Sequence, residues 1–100
     1  MASSRTQAKI RKWKDQASKA LRKGKAKDAL DAYRALEKLE PAEGLWPQRA
    51  ADVHRREGDA VAAIEALERA ADRWADGGFL LKAIATCKMV LELDPTHTRI

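Results

Sequence analysis

Three glycines punctuate this chain at positions that leave few folds open. Gly24, Gly58 and Gly78 each stand five residues before an alanine (Ala29, Ala63 and Ala83), and four residues after each alanine come Tyr33, Leu67 and Cys87. Three positions further on are Leu36, Ala70 and Val90. Pro41 and Pro95 close two of the three stretches, each directly behind an acid, Glu40 or Asp94. Glycine accepts the left-handed backbone that ends a helix. Apolar residues every three or four positions mark one face of a helix. Alanine lets two helices cross closely, and proline halts the hydrogen-bond ladder. A chain punctuated in this way folds as a succession of short helices, and it has no alternating pattern for a strand.

The spacing predicts five helices. The first spans residues 4–23 with Ile10, Trp13, Ala17, Ala20 and Leu21 on one stripe, and the second spans 25–39 with Ala29, Leu30, Tyr33 and Leu36. The third spans 47–57, with Pro47 at its first position and Ala50, Ala51, Val53 and His54 behind it. The fourth spans 59–76, capped by Asp59, with a stripe of Ala60, Ala63, Ile64, Leu67, Ala70, Ala71 and Trp74. The fifth spans 79–93, with Leu80, Ala83, Ile84, Cys87, Val90 and Leu91. Short connections make neighbours antiparallel. The alanine content argues for a thin helical layer, because alanine adds little buried area.

This pattern resembles the tetratricopeptide repeat (TPR), a 34-residue helix–turn–helix unit written W-x2-L-G-x2-Y…A-x3-F…P. Ala29 and Ala63 are 34 residues apart. Trp13, Ala17, Ala20, Gly24, Ala29, Tyr33, Leu36 and Pro41 match a first unit, and Ala51, His54, Gly58, Ala63, Leu67 and Ala70 match a second. Ala83 follows Ala63 after only 20 residues, so the fourth helix reads as shared between the second unit and a third. The resemblance implies an all-α fold of antiparallel helical hairpins, stacked as a short solenoid of about two and a half units. It is similar to short TPR segments that some bacterial proteins carry ahead of a regulatory domain.

One hundred residues make one domain, 1–100, with a basic start over 1–9 and a tail over 94–100 that looks like the lead-in to a further segment. Stacked repeats need a covered end. The fifth helix is therefore expected to meet a second copy or further chain through Phe79, Leu81, Met89 and Leu93. The lone Cys87 rules out an intrachain disulfide, and the start carries no apolar signal region, so a cytoplasmic setting is the default. The net charge is +5, and residues 1–27 hold ten Lys/Arg against one acid while the remainder holds ten against fourteen. That imbalance describes either a solvated helix face or a patch for something acidic.

No catalytic, metal or cofactor constellation emerges, and the chain reads as non-enzymatic with no cofactor. Cys87 falls on a packing stripe, His54 takes a position where the repeat usually has an aromatic, and His97 lies in the tail. The acids form ordinary surface pairs such as Glu65–Arg69 at i,i+4. Trp13 and Trp74 match core positions, whereas Trp46 either packs on the second helix or faces a partner. The resemblance implies a protein-interaction module, a scaffold or adaptor, binding along a concave face lined by first helices. Carried onto this chain, the lining is Arg11, Lys14, Ser18, Leu21 and Arg22, then Leu45, Gln48, Asp52, Arg55 and Arg56. Five cations against one acid predict a protein partner with an acidic segment. The chain has no asparagine, so the two-asparagine carboxylate clamp of one TPR subtype is absent in its usual form. The alternative is nucleic-acid binding by the basic first helix as part of a larger regulatory protein. It lacks aromatic residues on the cationic face.

Overall fold

The computed structural model describes residues 3–97, and within them the chain is five helices with no strand. These are α1 (Ser4–Arg22), α2 (Ala26–Leu39), α3 (Leu45–Arg56), α4 (Ala60–Asp76) and α5 (Leu80–Leu93). Met1, Ala2 and the last three positions of the expected tail lie outside the described residues. From Ser4 onward the basic start is helical, capped by Ser3, whose Oγ accepts from the Thr6 amide at 3.1 Å. Each helix packs on the next in order, and the stack measures 42 × 32 × 16 Å, the thin layer expected of an alanine-rich chain.

Three turns share one form. Gly24, Gly58 and Gly78 carry φ of +69°, +77° and +83°. Behind each, an amide reaches back to a carbonyl five residues earlier: Lys25 to Ala20 (2.9 Å), Asp59 to His54 (2.9 Å) and Phe79 to Trp74 (2.8 Å). The glycine amides themselves donate to Leu21, Arg55 and Ala75, and the two bonds together satisfy orphan carbonyls of the preceding helix. The fourth connection, between α2 and α3, is longer and runs through Pro41 and Gly44. It starts α3 at Leu45, two residues before the predicted start. Pro47 is thus the third helical residue, and its missing N–H still falls in the first turn, where no intrahelical partner exists.

The core runs along the stack. Ala29, Leu36, Ala51, Ala63, Ala66, Leu67, Ala70 and Val90 are fully buried, and Tyr33, Trp46 and Trp74 are nearly so. Trp13 is half-buried against the same core. Arg69 departs from its expected partner Glu65. It crosses to Glu37 with two bonds of 3.2 Å, and Arg73 joins the same carboxylate at 3.0 Å, tying α4 to α2.

The expected face of α5 is rotated. Ala83, Thr86 and Val90 are buried, while Leu80, Ile84 and Leu91 are exposed and Cys87 is only half-buried. Met89 and Leu93, assigned to an outer flank, pack against the core instead. α5 carries apolar residues on nearly every side, so periodicity alone did not choose its buried stripe. Its outer surface is Leu80, Leu81, Ile84 and Leu91, with Leu81 83% exposed.

Candidate functional site

α1 and α3 face each other across a groove of about 330 Å³. Ala17, Leu21, Leu45, Trp46 and Val53 form its apolar wall, and Tyr33 of α2 lies at its base. Trp46 settles inward. It is 7% exposed, stacks on Tyr33 at 6.3 Å between ring centroids, and donates its Nε1–H to Glu40 Oε1 at 2.8 Å. A Trp ring this buried needs such a partner for its N–H.

Lys14, Arg49 and Arg56 border this wall, with Asp52 the one acid among them. Lys14 Nζ stands 5.5 Å from the centre of the Trp46 ring. Arg69 and Arg73 pair with Glu37, away from this groove. Burial raises the Tyr33 hydroxyl above its ordinary range; the Arg49 and Arg56 charges pull it down and Asp52 pushes it up.

A second cavity of about 920 Å³ opens on the other side of Leu45, between the start of α3, the α2–α3 connection and α5. Trp74, Phe79, Ala85 and Met89 give it an apolar lining, with Glu40 and Glu43 on its rim. Trp74 and Phe79 meet edge to face at 5.6 Å, and Lys82 Nζ lies over both rings, at 4.5 and 5.1 Å. Gln48 Oε1 accepts from Trp74 Nε1 at 3.2 Å. Gly44 makes room for the indole: a Cβ there would fall 2.6 Å from the Trp74 ring.

The structure brings together most of the sequence-selected residues. Lys14, Ser18, Leu21, Leu45, Asp52, Arg56 and Trp46 line the first cavity, and Gln48, Phe79 and Met89 line the second. Arg11 instead lines a shallow depression on α1 with Lys12, Asp15 and Lys19. Arg22 and Arg55 are exposed and line neither groove cavity, and Leu81 and Leu93 lie elsewhere on α5. Sequence reasoning missed Arg49. The stripe 45–49–52–56 follows helical spacing, and it places the exposed Arg49 at the groove and Arg55 a full 100° away from Arg56.

It assigned Phe79 and Met89 of α5 to an outer contact, whereas both line the second cavity. Leu45 and Phe79, like Gln48 and Lys82, are 34 residues apart and line the same cavity. α4 does pack on both α3 and α5, as a shared helix would. The 34-residue step nonetheless puts α5 in the place of a first helix, one repeat beyond α3.

No family model matches the sequence, and no curated protein matches it. Among solved structures, the first TPR of Spaghetti (RPAP3) bound to HSP90 peptide SRMEEVD is similar, with 22% identity and a TM-score of 0.58 over 90% of this chain and 82% of that one. No helix among the described residues is long and apolar enough to cross a membrane. At this identity the likeness establishes the architecture: an all-α, TPR-like stack of antiparallel helices.

Proposed function

We propose that this chain is a non-catalytic protein-interaction module, a scaffold or adaptor of about two and a half TPR units, that takes an acidic protein segment in the groove between α1 and α3. The observation that carries the reading is the convergence of Lys14, Arg49 and Arg56 on the wall formed by Leu21, Leu45 and Trp46. Three cations on an apolar wall attract carboxylates and exclude water from one side of each contact. Arginine adds direction, since its fork meets a carboxylate with two parallel bonds. The similar solved domain was bound to a peptide containing two glutamates and an aspartate, which supports the same ligand class here. The reading includes a cytoplasmic setting of bacterial type, and self-association through the outer face of α5 as a second contact.

Titrating the chain against a labelled acidic peptide and, separately, a labelled DNA duplex tests this reading. Saturable peptide binding with weak DNA binding is expected. DNA binding that dominates and falls steeply with salt would transfer the function to the basic outer face of α1, where Arg11, Lys12 and Lys19 lie together.

A further inference from the structure

Four residues of α5 form one seam on its outer side. Leu80, Ile84, Cys87 and Leu91 follow each other in steps of four, three and four, the spacing that keeps side chains in line along a helix. Leu80 and Ile84 are more than half exposed, Leu91 is 40% exposed and Cys87 is half-buried. The exposed Leu81 and Lys88 border the seam, the lysine with an apolar stem. A contiguous apolar stripe of this kind marks a contact surface.

The seam reads the same from either end. Turning α5 end for end brings Leu80 opposite Leu91 and Ile84 opposite Cys87, so the stripe is complementary to a second copy of itself. The helix ends favour the same sense. Phe79 at the N-cap makes no side-chain cap, the first turn holds no acid and the last turn holds no base. No side chain of α5 therefore offsets its dipole at either end. Its C-terminal end carries Glu92 and Asp94 instead. An antiparallel neighbour sets these two acids level with the start of α5, whereas a parallel one sets Glu92 against Glu92 and Lys88 against Lys88. The opposite end of the stack offers no match: the outer face of α1 presents Arg11, Lys12 and Lys19. Head-to-tail growth thus has no second apolar seam to use, and an isologous contact closes at two copies.

We infer that two copies of this chain pair through α5 in antiparallel sense, about a two-fold axis level with Ala85 and Thr86, with Leu80 of each copy against Leu91 of the other and Ile84 against Cys87. This rests on the proposed self-association through the outer face of α5 and names its geometry. The dimer then presents the α1–α3 groove twice.

The test places single thiols on the seam. Leu80→Cys and Leu91→Cys are made separately in a Cys87→Ser background, one chain carrying a tag that alters its size. Each alone, and the two mixed, are oxidised mildly and run on a gel without reductant. Leu81→Cys mixed with Glu92→Cys has the same spacing on another side of α5 and serves as the control. Sedimentation of the wild type and of Leu80→Lys/Ile84→Lys measures association itself. The wild type should dimerise reversibly, and the two lysines should weaken the dimer by about tenfold or more, since they charge a surface that must lose water. The mixed seam variants should cross-link as a heterodimer several-fold more than the control or either variant alone. In the antiparallel pair the two copies of position 80 stand about 16 Å apart along the axis, beyond the reach of a disulfide. A wild type that dimerises through α5 while the mixture cross-links no better than the control overturns the antiparallel pairing alone, as does Leu80→Cys that cross-links with itself. A wild type that stays monomeric at high concentration, or a dimer indifferent to Leu80→Lys/Ile84→Lys, overturns the self-association reading as well.

Discussion

Tyr33 and Trp46 stack with their ring planes 21° apart, joining α2 to the first turn of α3 beneath the groove. Trp46 is fixed at its far end by Glu40, so one side chain anchors the α2–α3 connection and forms the groove wall at once. Trp46→Phe keeps the stack and loses the hydrogen bond, with an expected cost of about 1–2 kcal/mol. Trp46→Ala opens a cavity and should cost about 3–5 kcal/mol. Urea denaturation of the two variants checks the order.

Tyr33 is the one tyrosine of the chain, so its ionisation can be followed by ultraviolet absorbance. Its pKa is raised chiefly by burial, above the ordinary value of 10.0. The neutral phenol is the form the fold favours. That contribution to stability is fully present below the unfolded value and is lost as pH rises through the higher folded value. Arg49→Gln or Arg56→Gln should raise the titration further, and Asp52→Asn should lower it. A midpoint unmoved by all three would show that these charges do not converge on the groove.

Gly44 and Trp74 form a tight pair, because the indole occupies the space a Cβ would need. Gly44→Ala should destabilise the chain by about 1–3 kcal/mol through overpacking. Combining it with Trp74→Ala should cost less than the sum of the two single changes, since the clash disappears with the ring. Strict additivity in thermal or urea unfolding would contradict this packing.

The outer face of α5 separates stability from assembly. Ile84→Lys, at a position 53% exposed, should change stability by only about 0.5 kcal/mol or less. Val90→Ala, at a fully buried position, should cost about 1–3 kcal/mol. Leu80→Lys with Ile84→Lys should also weaken any concentration-dependent association seen by sedimentation. A wild-type chain that stays monomeric at high concentration would remove the self-association part of the proposal.

Most helix boundaries were legible because each rests on one local signal; the start of α3 was not, since Pro47 reads as a first residue and is the third. Gly24, Gly58 and Gly78 announce their turns, Asp59 its cap, and Pro41 the end of α2. The groove face of α1 was legible through Lys14, Ser18 and Leu21, which follow one stripe. Arg49 was not, because assigning the face of α3 by likeness to the repeat selected Arg55 in its place, and neighbouring positions on a helix differ by 100°. α5 was the hardest to orient. Leu80, Leu81, Ala83, Ile84 and Ala85 offer apolar surface in several directions, and packing against α4 settles which residues turn inward. Trp46 was undecided for a related reason: its burial depends on Tyr33 of α2 and on Glu40 in the connection that follows it.

The central claim is that cations between α1 and α3 hold an acidic segment. Each solvent-exposed ion pair contributes only about 0–1 kcal/mol, so binding needs several together and should weaken as salt rises. The direct measurement is the affinity of a labelled acidic peptide for Arg49→Glu/Arg56→Glu, set beside Arg11→Glu/Arg55→Glu, which changes the same net charge outside the groove. The account predicts a loss of about tenfold or more in the first variant, little loss in the second, and unchanged helix content in both. Equal affinities for the two variants would contradict it.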